Sequence, residues 1–147
     1  MEDRFPAIRI TMLPKDTNAF GTIFGGVILS YIDLAAAIEV RRHYSQRFVT
    51  KAMREVAFVA PVYLGDLVTF FTRVVRVGNT SVTVDVNVEA ERLGSEGNRQ
   101  TVQVTLGDRM GGGLQVTVRP VNCQRYKDER EALVTSSLFP TLPSMPP

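Results

Sequence analysis

The sequence predicts an α+β domain in which a curved antiparallel sheet of five or six strands wraps around one long central helix. Residues 18–42, NAFGTIFGGVILSYIDLAAAIEVRR, place apolar side chains on nearly every side of a helix. A helix apolar all round is buried in the middle of a fold or spans a membrane. Farther along, Val82, Val84, Val86, Val88 and Ala90 alternate with Thr83, Asp85, Asn87 and Glu89. That is the period of two of a strand with one buried face and one wet face. The order of strand, helix, then strands joined by short turns completes the pattern.

The elements follow in chain order. Residues 7–13 form a short apolar first strand, and residues 14–18 a polar loop. The helix covers residues 26–43 and ends at Arg41, Arg42 and His43, cations suited to a helix C-terminus. Its apolar core is long enough to cross a bilayer. The Gly25-Gly26 pair and the central carboxylate Asp33, costly in hydrocarbon, argue for burial in protein instead. Residues 48–62 read as a second strand with a bulge or bend, ended by Pro61. Its even positions place Ala52, Arg54, Val56, Phe58, Ala60 and Val62 on the inner face, so Arg54 is expected to pair with an acid or to snorkel outward.

Residues 67–77 form a third strand rich in Val, Phe and Thr. Gly78-Asn79 makes a tight hairpin into the fourth strand. After a loop at 94–98, residues 101–106 and 114–118 alternate again. Residues 107–113 join them as a hairpin loop or a bulged break. Residues 1–121 are expected to be one domain. Residues 122–147 are expected to be an irregular tail, ending in SSLFPTLPSMPP.

Composition narrows the functional classes. The 147 residues are 44% hydrophobic and 22% charged, with a net charge of +2. No strong nucleic-acid field is expected, although a basic balance suits an anionic ligand. Cys123 is the only cysteine, so no internal disulfide forms, and no zinc-finger spacing is present. The charged N-terminus with Pro6 does not read as a signal peptide. A cytoplasmic location is expected, with no membrane and no nucleic acid among the partners.

Two features of the helix carry chemistry. Gly25 and Gly26 stand where a helix leaves backbone N–H groups without internal partners. That end holds the positive pole of the dipole and suits a developing oxyanion, although a glycine pair also simply permits tight packing. Asp33 is the one carboxylate between Asp16 and Glu39. Burying it costs energy unless it is paired or functional. Eight helical residues separate Asp33 from Gly25, roughly 12 Å along the axis. Both cannot act on one carbonyl within a single chain. If they share a reaction, they come from two chains, and the protein is a homodimer with two shared sites. Asn18 reads first as a turn residue; its amide is also placed to hold a water or a carbonyl near the glycines.

These residues resemble a known family. Asp16-Thr17-Asn18, Phe24-Gly25-Gly26, Asp33, Pro61 with Gly65-Asp66, and Arg76-Val77-Gly78 with Thr80-Ser81 occur in order within residues 9–105. Together they are similar to the acyl-CoA thioesterases of the hotdog fold, in the bacterial acyl-CoA hydrolase branch. The resemblance implies hydrolysis of an acyl-CoA to a free acid and CoA by paired hotdog domains, with a trimer of dimers in many relatives. Asp33 is then the general base or nucleophile, Gly25 or Gly26 supplies the oxyanion N–H, and Asn18 orients water or thioester. The turn with Arg76, Gly78, Asn79, Thr80 and Ser81 is then the region that holds CoA. Lys51 and Arg73 are further partners for its phosphates. No metal and no separate cofactor are implied; CoA enters as part of the substrate.

Two departures stand out. Arg54 occupies a position where relatives carry Asp or Asn, and residues 106–113 interrupt the fifth strand. The rival readings are a non-catalytic acyl-CoA binding or sensor protein, and a hotdog acyl-thioester hydratase or dehydratase. The second needs a histidine beside the acid, and the only histidine is His43, ten residues past Asp33.

Overall fold

The computed structural model describes residues 4–54, 56–106 and 114–135. The elements run β1 (Phe5–Thr11), a 3-10 turn (Pro14–Asp16), α1 (Gly25–Arg41), β2 (Phe48–Met53), β3 (Ala57–Phe58), β4 (Leu67–Val77), β5 (Val82–Leu93), β6 (Arg99–Gln103), β7 (Thr105–Leu106), β8 (Leu114–Pro120) and α2 (Cys123–Thr135). One antiparallel sheet has the order β1-β4-β5-β8-β2, with β6 also paired to β5. β8 pairs with residues 82–86 of β5 and β6 with residues 89–93. The two therefore lie end to end along one partner, as a single strand with an excursion between them. The bulged-break reading of this region holds over the hairpin reading, while residues 107–113 themselves lie outside the described residues. Within the excursion, β7 pairs with β3 to form a small second sheet.

The valines of β5 and β8 explain the core. Val82, Val84, Val86, Val88, Val116 and Val118 are buried together with Ile28, Ile32, Ala35, Ala36 and Val40 of α1. The helix positions recur at three- and four-residue spacing, so one face of α1 rests on the inner face of the sheet. No helix among the described residues is long and apolar enough to cross a membrane.

Two sequence expectations need correction. Arg54 is exposed and does not face the core. The register of β2 shifts between Thr50 and Ala52. A bulge reverses the faces of all that follows it, so Ala52 and Arg54 turn outward while Met53 turns in. The second correction concerns the tail. Residues Cys123–Thr135 form a helix, not irregular chain. Its apolar pattern is sparse: Tyr126 enters the core and Leu133 packs against it. Tyr126 is fully buried against Tyr44 and Phe48. The proline-rich segment at 136–147 lies outside the described residues.

The far end of α1 is fastened by Glu39, which is buried. Its carboxylate accepts from Thr72 Oγ1 at 2.9 Å and Arg42 Nη1 at 2.9 Å, and lies 3.3 Å from His43 Nε2. Burial pushes this carboxyl up, but the hydrogen bonds from His43, Arg42 and Thr72 together outweigh it and hold it below 4.5. A depressed folded value contributes stability above the unfolded value that is lost as pH falls through the folded one. Wild-type unfolding free energy should therefore drop as pH falls below about 4.5, and Glu39→Gln should flatten that slope. Parallel curves for the two proteins in denaturant titrations would contradict this.

Candidate active site and phosphate cleft

The N-terminus of α1 is built from its sequence upward. Phe24 is extended, at φ −60° and ψ 126°, and caps the helix without a side-chain hydrogen bond. Its N–H donates to Asp16 O at 2.9 Å, and Val27 N–H donates to Phe24 O at 3.0 Å. The amides of Gly25 and Gly26 lie between these committed groups, the first two of the helix. Of the two, only Gly26 also has a steric reason. A Cβ on Gly26 would come within 2.4 Å of the Phe24 ring, and one on Gly25 would touch the Phe58 ring at 3.6 Å. Phe20, Phe24, Phe58 and Val59 remain exposed, giving this end of the molecule an apolar rim.

Asn18 shapes the loop that leads in. Its Oδ1 accepts from the N–H groups of Phe20 at 2.8 Å and Thr22 at 3.2 Å, and its Nδ2 donates to Thr22 Oγ1 at 2.8 Å. An amide nitrogen carries two hydrogens, so one donor is left beyond these loop bonds.

Asp33 is half-buried on α1 and accepts a hydrogen bond from the Thr50 hydroxyl. Sequence reasoning missed Thr50. Its position just before the bulge turns its side chain toward α1, opposite Val118. β2 is an edge strand, and Leu34 and Val49, the chain neighbours of Asp33 and Thr50, are 52% and 54% exposed. The carboxylate thus sits on a part-apolar surface beside an open sheet edge.

The outer face of the sheet carries a separate feature. A cleft of about 520 Å³ is lined by Lys51 and Ala52 of β2, Arg54 just after it, Gln115 and Thr117 of β8, Thr83 of β5, Val75 and Arg76 of β4, and Ser81. Three cations converge there with hydroxyl and amide groups, and none of the described lining residues is a carboxylate. The cleft lies between two bulges. One is in β2 at Lys51; the other is in β4, where the register shifts between Val74 and Arg76. The second places Arg76 opposite Thr83.

Of the sequence-predicted CoA residues, Lys51, Arg76 and Ser81 meet in this cleft, and Arg54 joins them. Arg73 stands apart, 3.7 Å from Asp85. Gly78, Asn79 and Thr80 form the adjoining turn, closed by Gly78 N–H to Ser81 O at 2.7 Å. His43 is held at Glu39, away from Asp33. No group of three or more His, Cys, Asp or Glu that could hold a metal ion occurs among the described residues.

The sequence model of the thioesterase superfamily matches residues 20–96. The acyl-CoA thioester hydrolase YciA of Escherichia coli K12 is 36% identical over 98 residues, covering 67% of this chain and 74% of the relative. An uncharacterised acyl-CoA thioester hydrolase of Zymomonas mobilis is 42% identical over 81 residues, 55% of this chain and 54% of its own length. This chain thus matches about half the length of that relative. The solved structure of Cj0915, a hexameric hotdog fold thioesterase of Campylobacter jejuni, is similar with a TM-score of 0.72 and 42% identity, over 81% of this chain and 84% of that one. The sheet wrapped on α1 and these matches agree: the chain has the hotdog fold and belongs to the thioesterase superfamily.

Proposed function

We propose that this protein is an acyl-CoA thioester hydrolase, cleaving an acyl-CoA to a free carboxylic acid and CoA. The observation that carries the reading is the carboxylate of Asp33, oriented by Thr50, at an open sheet edge flanked by exposed Leu34 and Val49. An unpaired edge with apolar neighbours invites pairing with another chain. A second copy set against β2 brings its own α1 toward Asp33. The thioester carbonyl then lies between Asp33 of one protomer and the Gly25 and Gly26 amides of the other.

In that arrangement Asp33 takes a proton from water as the water oxygen attacks the carbonyl carbon. Attack by the carboxylate itself, through an anhydride, uses the same geometry. The two amides and the helix dipole stabilise the oxyanion, and Asn18 offers its remaining N–H to water or carbonyl. The C–S bond breaks, and CoA departs as a thiolate that takes up a proton. Thr50 positions Asp33. The relatives' names as acyl-CoA thioester hydrolases support the activity, and the hexameric Campylobacter relative supports a hexamer, read here as a trimer of dimers.

The outer cleft suits the phosphates of CoA. Lys51, Arg54 and Arg76 supply positive charge, and Ser81, Thr83, Gln115 and Thr117 supply hydrogen-bonding groups. Arg54 adds a third positive charge to this site. A non-catalytic binder would also use the cleft, but it would hold CoA esters without releasing thiol. A cytoplasmic location fits a soluble substrate of this kind.

Asp33→Asn should abolish thiol release from a panel of acyl-CoA esters while leaving the circular dichroism spectrum unchanged; retained turnover would remove Asp33 from the mechanism. Thr50→Val should lower kcat by about tenfold or more, with rescue by Thr50→Ser, as expected for a group that fixes the geometry of another. Asn18→Ala should cost one to two orders of magnitude in rate, about the range for a lost oxyanion or water contact. A normal rate would return Asn18 to its loop role alone. Replacing Arg54 and Arg76 by Gln should raise KM for acyl-CoA and weaken its salt dependence, with kcat little changed; an unaltered KM would place the phosphates elsewhere.

A further inference from the structure

The turn between β4 and β5 is gripped from outside the sheet. Tyr126 of α2 donates its hydroxyl to Gly78 O at 2.8 Å, with Ser81 O at 3.4 Å. Arg130, one helical turn on, donates from Nη1 to the same Gly78 O at 3.1 Å and to Asn79 Oδ1 at 3.0 Å. A carbonyl oxygen has two acceptor sites, so both sites of Gly78 are filled by α2. The ring of Tyr126 is fully buried, edge-on to Phe48 and tilted against Tyr44, which fixes where the hydroxyl points. Burial, followed by the neighbouring Tyr44, pushes its hydroxyl well above the ordinary tyrosine value, so it stays protonated and a donor at working pH.

The grip bears on the cleft. Arg76 precedes Gly78 by two residues, and Ser81 follows it by three; both line the cleft. Asn79 and Thr80 at the tip are exposed. A hairpin tip without such restraint has freedom to rotate its glycine peptide. Filling both acceptor sites of Gly78 removes that freedom, and the cleft edge is ordered before any ligand arrives. Preorganisation of this kind raises affinity by removing an ordering cost.

We propose that α2 is a positioning element for the phosphate end of CoA, acting through Tyr126 and Arg130 on the turn at 78–81. This rests on the reading of the cleft as the CoA-phosphate site. Neither residue touches the reacting carbonyl. Asp33 and Thr50 lie on the inner side of the sheet, so loss of the grip weakens recognition of the nucleotide end and spares the chemical step.

The test compares an acyl-CoA with the same acyl group on pantetheine, which lacks the phosphates. Tyr126→Phe keeps the buried ring and removes only the hydroxyl; Arg130→Gln changes a half-buried side chain and serves where the first variant is unstable. For each, KM for acyl-CoA should rise about three- to tenfold, with kcat within about twofold and KM for acyl-pantetheine unchanged, the size expected for losing one hydrogen bond. No change in either KM, or equal changes for both substrates, would overturn the proposal. Where the wild type hydrolyses neither ester, the hydrolase reading fails, and calorimetry with CoA itself decides the grip: weaker binding by both variants supports it, and equal or absent binding overturns it.

Discussion

A helix that is apolar on every side must be covered on every side, and a single sheet cannot do it. α1 buries Ile28, Ile32, Ala35, Ala36 and Val40 against the sheet, yet Leu34 stays half exposed. The uncovered flank faces the β2 edge, where Val49 is exposed as well. The one carboxylate in the middle of the helix sits on that flank and is held by Thr50 across to β2. The same geometric shortfall therefore explains both the need for a second copy and the place of the candidate catalytic acid.

The two faces of the sheet divide the work. The inner face buries valines against α1. The outer face carries the cleft, and two bulges make it. A bulge turns the following residues over and increases local twist. At Lys51 it swings Arg54 outward while Thr50, before it, still reaches Asp33. At Val75 it sets Arg76 opposite Thr83. α2 then holds the end of the β4–β5 hairpin that borders this cleft. An acyl-CoA has a reactive end and a charged end, and the fold offers a distinct surface to each.

Much of this was legible in the sequence, for physical reasons. The alternation along β5 is unbroken because one face packs on a helix and the other meets water. The glycine-asparagine turn and the apolar helix are equally local signals. Arg54 was misplaced because parity was counted through the strand, and nothing in the run VTKAMR marks where the bulge falls. Thr50 was missed for a different reason; a threonine in a strand reads as an ordinary strand former until its partner across the fold is known. α2 was missed because it docks through Tyr126 and Leu133, too few apolar residues to show helical periodicity. The pairing of β6 and β8 along one partner depends on β5, a long-range fact that spacing alone leaves open.

The most direct measurement of the shared site is complementation between two inactive variants. Asp33→Asn removes the acid. Gly25→Pro removes one helix-end N–H at a position where proline is tolerated, since Gly25 is the first helical residue and Phe24 before it is already extended. Each homo-oligomer should be inactive in thiol release. Mixed after unfolding and refolding together, they should recover about a quarter of wild-type activity, because each mixed dimer restores one of its two sites. Mixtures no more active than their parents would contradict a site built from two chains.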